Sequence, residues 1–449
     1  MAEIVKIRKG LNIKLKGEAE KVYVDVPISD TVAIKPPDFT GIRTKLVCKV
    51  GDEVKAGTPL FVDKDNEKVI FTAPVSGEVV EIIRGEKRKI LEIRILADKE
   101  ITYEPFKQAD PNNLSRDEII EWMLKSGTWP LIRQRPFEIV ANPDEKPKAI
   151  FISAFNSAPL AADNDFILHG HGEEFQIGLN AVAKLSGGKV HLNVNAGVTT
   201  SKVFTNATGV QINKISGPHP AGNVGVQIHH IDPVNKGDIV WHLSPQDVLM
   251  IGRLFKEGKY DASRVVALTG SEVNKTRYHK TFIGSSIKNM IADNIKGNKV
   301  RYISGNVLTG TRIDADGYLG YYDTQITVIP EGDEPSFMGW LAPGLDKFSL
   351  SRTFFSWLTP TREYSLNSNM NGEPRAYVVT GQYEQVLPMD IHPVHLLKSI
   401  MIGDIERMEN LGIYEVAEED FALCEYVCTS KVEVQELIRE GLDTVKREC

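Results

Sequence analysis

The sequence predicts a multidomain α+β protein, and three observations predict it. The chain has 449 residues, a length that implies about three domains. Its first hundred residues alternate short apolar runs with Gly, Pro and Asp, the pattern of an all-β unit. From Ser115 onward, capped amphipathic helices alternate with continuous apolar strands, as in a parallel α/β unit, and from Met389 to Cys449 the pattern turns helical.

Apolar content of 42% and charged content of 25% place the chain among soluble globular proteins. A net charge of −7 gives no electrostatic case for nucleic acid. No run of about 18 apolar residues is present, so no membrane-spanning helix is expected. The stretch from Met1 to Gly10 lacks the apolar core of a signal peptide. Cys48, Cys424, Cys428 and Cys449 are too few and too uneven for a disulfide framework, which fits a reducing cytosol.

Residues 1–100 carry the strands Val22–Val26, Leu46–Val50, Leu60–Val62, Val69–Phe71, Val79–Ile83 and Leu91–Ile95. The clusters Gly51-Asp-Glu-Val-Lys-Ala-Gly57 and Ala73-Pro-Val-Ser-Gly77 turn the chain between sheets. These clusters resemble those of the barrel-sandwich hybrid, the biotinyl/lipoyl-like fold. Lys64 falls near the modified lysine of a true lipoyl domain; the reading favoured here is an unmodified hairpin lysine, because folds are borrowed without their carrier role.

Residues 101–258 read as a Rossmann-like α/β domain without its nucleotide loop. Ser115-Arg-Asp-Glu118 is a capping box for a helix through Ile119–Leu124, stopped by Gly127. The next loop, Gly127-Thr-Trp-Pro-Leu-Ile-Arg-Gln-Arg-Pro-Phe137, has one glycine and no G-x-G-x-x-G, and its bulky residues would obstruct a phosphate. Lys148–Ser153 is a buried strand of the parallel type. Glu173–Leu185 is a helix with acids in its first turn and Gly187-Gly188 expected as its left-handed cap. Lys189–Val194 is the next strand. Ile212–Val240 is Gly- and His-rich and gives no clear element. Ser244-Pro-Gln-Asp247 caps a helix that ends at Gly258.

Residues 259–330 form a compact module: strands Arg264–Gly270, Tyr278–Ile283, Val300–Ser304 and Gln325–Ile329 around a short helix with Ile287, Met290 and Ile291. It resembles the SLBB domain, a β-grasp unit. Its stretch Gly317-Tyr-Leu-Gly-Tyr-Tyr322 is expected to present an exposed apolar lip. Residues 331–386 are an irregular connector with the aromatic clusters Phe337-Met-Gly-Trp340 and Phe354-Phe-Ser-Trp357; they mark an interface or fold back on the domain. Residues 387–449 are helical. Asp390 is expected to cap a helix beginning near Pro393, and Ser430-Lys-Val-Glu433 is read as a capping box before Val434, Leu437, Ile438 and Val445.

Three constellations could carry chemistry. Cys424-Glu-Tyr-Val-Cys428 keeps two of the four thiolates an iron–sulfur cluster needs, and buried small residues are the favoured reading. His169 and His171 with Glu173 and Glu174, and His229 and His230 with Asp232, offer metal-ligand types without a specific spacing; hydrogen-bonded structure is favoured. No nucleophile elbow, P-loop or paired-carboxylate motif is present.

The order of parts resembles the flavin-bearing subunit of respiratory complex I and the C subunit of Rnf-type reductases. It is most similar to the A-subunit family of the sodium-translocating NADH:quinone oxidoreductases. The matching segments include Ile7-Arg-Lys-Gly-Leu11, Phe71-Thr-Ala-Pro-Val-Ser-Gly77, Arg84-Gly-Glu-Lys-Arg88, Trp129–Phe137, Gly217-Pro-His-Pro-Ala-Gly222 and Leu387-Pro-Met-Asp-Ile-His-Pro393. The resemblance implies a peripheral subunit on the cytoplasmic face of the bacterial inner membrane, with no activity or cofactor of its own. Its partners would be the B to F subunits of the complex, mainly the membrane-embedded B protein. NADH, FAD, FMN, riboflavin and Fe–S centres would belong to the rest of the complex, with ubiquinone as acceptor. The family is associated with quinone binding. A quinone needs an apolar groove with a few donors, and two stretches offer them: Val32–Phe39, with Ile34, Lys35 and Phe39, and Trp129–Phe137, with Trp129, Arg133, Arg135 and Phe137. Both could instead be docking surface of a purely structural subunit.

Overall fold

The computed structural model describes residues 4–197, 201–333, 337–339 and 341–448. Residues 1–3, Trp340 and Cys449, on which parts of the reading above fall, lie outside the described residues.

Two small sheets face each other in the N-terminal part. One has the order Thr31–Ile34, Ile90–Ala97, Gly77–Arg84, Glu53–Val54; the other has Thr44–Leu46, Pro59–Asp63, Ile70–Thr72. All their pairings are antiparallel. This is the expected barrel-sandwich. Lys64 is exposed, just past the strand Pro59–Asp63.

The α/β part is a seven-stranded sheet in the order Ile4–Lys6, Gln211–Ser216, Lys189–Asn195, Ala149–Ser153, Val240–Leu243, Arg133–Arg135, Ile139–Val140. The first five strands run parallel and the last two join antiparallel. Continuous apolar runs such as Ala149-Ile-Phe-Ile152 follow from burial on both faces. The strand order reverses at Ala149–Ser153. Consecutive strands step away from it on one side and Val240–Leu243 flanks it on the other, so a ligand crevice belongs at the C-terminal ends of these two strands.

The third sheet has the order Thr311–Ile313, Val300–Ser304, Gln325–Pro330, Ser263–Thr269, Arg277–Phe282, Glu20–Asp25. Its last strand comes from the N-terminus and pairs parallel with Arg277–Phe282. The first 25 residues thus complete two sheets before the chain enters the barrel-sandwich. Between these strands, Gly10 N–H donates to Gln385 O, and Tyr364 N–H donates to Lys14 O at 2.8 Å, tying the same segment to the C-terminal third.

One core runs without a break from Val32 and Phe71 in the barrel-sandwich through Trp129, Ile150 and Phe255 in the α/β part. A second joins Ile7, Ile13 and Ile215 to the C-terminal helices through Leu397, Phe421, Cys424 and Leu442. A third, around Leu268, Met290 and Val328, belongs to the SLBB-like sheet.

The caps at Ser115–Glu118 and Ser244–Asp247 form in both directions, and Gly127 and Gly258 close their helices in the left-handed conformation. Four expectations need correction. Gly187 and Gly188 do not form a left-handed cap. The helix Gly172–Leu185 ends on Ser186 in extended conformation, and glycine is required because a Cβ at position 188 would lie 2.1 Å from Lys148 O. Ser430 makes no capping box: its hydroxyl donates to Ala376 O, and the helix begins at Val434. The helix Pro393–Met401 is preceded by His392 as its N-cap, not Asp390. The stretch Gly317–Tyr322 is no exposed lip, since Tyr318 and Tyr321 are buried against the barrel-sandwich and Leu319 in the core of its own sheet.

The helices Gly172–Leu185 and Pro245–Glu257 pack at glycines. A Cβ on Gly252 would sit 1.8 Å from Glu174 O, and one on Gly178 would sit 2.0 Å from Val248 O. Gly252→Ala is therefore expected to destabilise the fold by about 1–3 kcal/mol, the usual cost of overpacking, read as a lowered midpoint in chemical denaturation.

Candidate functional site

The two stretches singled out for quinone meet around one residue that sequence reading did not choose. Tyr322, on the SLBB-like unit, donates its hydroxyl to Pro130 O at 2.7 Å. Its ring lies 5.9 Å from Phe39 and 4.7 Å under the Arg133 guanidinium. Lys35 Nζ donates to Tyr318 O at 3.1 Å, and Asp38 accepts the Tyr321 N–H at 2.8 Å. Three parts of the chain thus converge on an aromatic cluster of Phe39, Phe61, Phe71, Tyr321 and Tyr322. The earlier signal was the Tyr-Tyr pair flanked by Gly320.

Exposure divides the predicted residues. Lys35 and Arg133 keep 15% and 28% of their side chains accessible. Ile34 and Phe39 are buried in the barrel-sandwich core. Trp129 is fully buried, donating Nε1–H to Ala141 O at 2.7 Å and standing edge-on to Trp241 at 5.4 Å. Phe137 is half-buried against Tyr414, away from Phe39's cluster.

Arg135 belongs to a different construction. Its guanidinium is 1% exposed and faces Glu138 at 2.5 Å, Glu419 at 2.8 Å and Asp420 at 3.2 Å. Arg133 and His242 reach the same Glu138 at 2.7 and 3.0 Å. Burial opposes the charge on Glu138, but Arg135, His242 and Arg133 hold its carboxyl well below the usual range. Burial depresses His242 and raises Glu419 and Asp420 against the pull of Arg135. The cluster joins the sheet edge to the C-terminal helices.

The switch-point crevice is covered. Past Ser153 and Leu243 the chain meets side chains of the SLBB-like sheet. Gln246 exchanges two 2.9 Å hydrogen bonds with the Val265 backbone, and Gln325 Nε2 donates to Pro159 O at 3.2 Å. Arg264, 1% exposed, pairs with Asp247 at 2.6 Å and donates to Tyr321 O at 2.6 Å. The turn that follows Ala149–Ser153 has no glycine before Gly170, so it lacks the close backbone approach that a phosphate loop needs.

The cysteine pair and the His229–His230 pair resolve into ordinary contacts, and Glu173 and Glu174, beside His169 and His171, pair with Lys256. Cys424 and Cys428 are both buried, with Cys428 just beyond the helix Ala422–Val427. His229 sits 2.7 Å from Glu415 and accepts the Asp390 N–H, and His230 bonds to Pro388 O. Among the described residues no group of three His, Cys, Asp or Glu could hold a metal ion. Ser157 and His219 meet at 3.0 Å, but Ser157 Oγ also accepts the Gly222 N–H, so the pair staples the loop Gly217–Gly222. A groove of about 530 Å³ that the sequence did not suggest runs between Ile70 and the helix Arg116–Ser126; its rim carries the ion pairs Lys68–Asp144 and Lys125–Glu121.

Two outcomes follow from these charges. Arg135→Met leaves buried carboxylates without their partner and is expected to cost about 3–5 kcal/mol in denaturant unfolding. Burial pushes the Asp38 carboxyl up to about 6, against Lys35 and the Tyr321 N–H. An acid raised in the folded state stabilises fully below its unfolded pKa and loses that contribution as pH rises through the folded value. Asp38→Asn should therefore be more stable than the parent at pH 8 by about 1–3 kcal/mol, from a shift of roughly two units at 1.36 kcal/mol each and a partly exposed side chain. The advantage should vanish by about pH 4 in unfolding curves taken at both values.

Among the described residues no helix is long and apolar enough to cross a membrane. Three family models match in succession: the NqrA N-terminal barrel-sandwich hybrid domain over residues 5–98, the NqrA second alpha/beta domain over 114–260 and the NQRA C-terminal domain, an SLBB unit, over 265–315. The A subunit of the Na(+)-translocating NADH-quinone reductase of Yersinia pestis is 39% identical over 448 residues, covering 99% of this chain and 100% of the relative. Those of Rhodopirellula baltica and Neisseria meningitidis are likewise 39% identical, each covering 99% of this chain and 98% and 100% of the relative. A NAD+-reducing [NiFe]-hydrogenase chain overlays on 76% of this chain and 63% of its own at 10% identity, with a TM-score of 0.39, too slight a likeness to argue from. Matched in sequence over 99% of its length and in domain order over residues 5–315, the chain belongs to the NqrA family, the A subunits of the Na+-translocating NADH-quinone reductases.

Proposed function

We propose that this chain is a peripheral subunit on the cytoplasmic face of the membrane, with no redox cofactor of its own. It docks on the membrane-embedded members of the complex, mainly the B protein, and contributes contacts to the ubiquinone that the complex reduces. Flavins and Fe–S centres then belong to its partners. The observation that carries this reading is the junction at Tyr322. Arg133 stands over the Tyr322 ring beside Phe39, and Lys35 bonds to the Tyr318 carbonyl on the same SLBB-like unit, where three parts of the chain meet. A quinone fits such a place because its carbonyl oxygens accept hydrogen bonds while its ring packs on apolar surface. Lys35 and Arg133 are the partly exposed donors of the set. Phe39 packs beside the Tyr322 ring, Arg135 shares Glu138 with Arg133, and Ile34, Trp129 and Phe137 pack in the surrounding structure. The covered crevice at Gln246 and Gln325 supports the absence of a bound flavin.

A second reading has a specific observation in its favour. Most of the candidate residues are buried, as befits a scaffold whose partners hold the quinone. Photo-crosslinking of the assembled complex with an azido-quinone separates the two. Label within 32–39 or 129–137 is expected, and label confined to membrane subunits would leave the scaffold reading. Arg133→Leu is expected to raise the quinone KM several-fold while electron transfer from NADH to an artificial acceptor is unchanged. The purified chain should show no flavin or iron–sulfur absorption.

A further inference from the structure

The connector between the SLBB-like sheet and the C-terminal helices carries a concentration of exposed apolar side chains that the reading above leaves unused. Phe337 is 94% exposed, Leu341 63% and Leu358 60%, with Leu345, Phe355 and Trp357 also open to solvent. Large apolar groups gathered on one segment of a folded chain call for a partner.

The segment is built to present them. Phe355 N–H donates to Pro343 O at 2.9 Å, which lays the arm 341–345 beside the turn Phe355–Leu358. Gly344 rests against the Phe354 ring, and Ser356 Oγ donates to Lys347 O at 2.5 Å, closing the loop from within. Its base is fixed by Phe348, packed on Tyr364 at 5.5 Å, and by the Tyr364 bond to Lys14 O. The apolar side chains therefore project from an anchored loop.

The surrounding charge identifies what they meet. Lys347 lies 5.6 Å over the Phe354 ring, Arg352 and Arg362 are exposed, and Lys14 Nζ donates to Pro360 O. Within 341–358 Lys347 and Arg352 stand against Asp346 alone, and Lys14 and Arg362 against Glu363 at the base. The acids Glu331 and Asp333 before the loop are paired with Arg301 and Lys299. The loop is thus weakly basic on a chain whose net charge is −7. Trp, Phe and Leu beside Lys and Arg are the composition of a bilayer interface, where rings and aliphatic chains enter among the acyl groups and cations meet anionic headgroups. The backbone here is irregular, and unpaired peptide groups cannot enter hydrocarbon. Contact is then shallow, through side chains alone.

We propose that the loop 341–358 seats this chain directly on an anionic lipid surface, by insertion of Leu341, Leu345, Phe355, Trp357 and Leu358 at the headgroup boundary. The test needs no other subunit, so it stands apart from the fate of the quinone reading. Full-length chain is floated with vesicles of phosphatidylcholine alone or with one part in four of phosphatidylglycerol. Binding to the anionic vesicles is expected. It should fall at least tenfold in Leu358→Asp and severalfold in Arg352→Glu, with the unfolding midpoint unchanged. Because the aspartate variant could disturb the loop, brominated acyl chains should also quench a fluorescence component that Trp357→Phe removes. No flotation of the parent chain, or flotation indifferent to Leu358→Asp and to bromination at Trp357, would overturn the proposal. So would co-purification with membrane subunits that depends on Leu358 in a chain that ignores vesicles, which would assign the loop to a protein partner.

Discussion

The guanidinium of Arg135 is the interaction on which the arrangement of the molecule rests. It is almost wholly withdrawn from water, and a lone charge in such a place would be costly beyond any packing gain. Three carboxylates answer it, one from its own hairpin and two from the C-terminal region nearly three hundred residues later. Neither side is tolerable without the other, so the sheet edge and the terminal helices form one body. Glu138 is shared with Arg133, and Arg133 in turn covers Tyr322. One chain of charge and ring contacts thus runs from the helical end to the junction with the barrel-sandwich.

The second buried guanidinium, Arg264, does comparable work at the switch point. In a sheet of this order the strand ends at the reversal form an open crevice, and that opening is what lets the architecture hold ligands. Here Arg264, Gln246 and Gln325 fill the hydrogen-bonding positions around it with bonds to the neighbouring sheet. Coverage of the crevice and rigidity of the inter-domain joint are one and the same set of contacts. These contacts join the α/β sheet, at the very edge where its strand order reverses, to the SLBB-like unit.

Much of this was legible in the sequence because the signals were local. The capping boxes at Ser115 and Ser244, the terminators Gly127 and Gly258, and the apolar strands at 149 and 189 depend on neighbours within a few residues. The failures arose where a distant partner decided the outcome. Ser430 reads as a cap, yet Ala376 O claims its hydroxyl. Tyr318 and Tyr321 read as surface, because nothing nearby reveals that Asp38 and Thr31 wait for them. The strand Gln211–Ser216 was invisible for another reason. Its Asn213 is buried yet hydrogen-bonded to Asn193 and His191 on the adjacent strand, so a core strand carries polar residues that pattern reading assigns to loops. At the candidate site the sequence supplied Lys35, Phe39 and Arg133 but not Tyr322, which brings them together.

The N-terminal segment has a kinetic meaning as well as an architectural one. Ile4–Lys6 pairs with Lys214–Ser216, and the core of Glu20–Asp25 with Tyr278–Lys280. At the ribosome these strands emerge well before their partners, which follow 210 residues later for Ile4 with Lys214 and 255 for Tyr23 with Tyr278, tens of seconds at roughly 5–20 residues per second. For that interval the earliest strands must wait with their backbone groups unpaired. Neither of the two larger sheets can close in the order of synthesis, and the finished fold depends on late strands returning to Ile4–Lys6 and Glu20–Asp25.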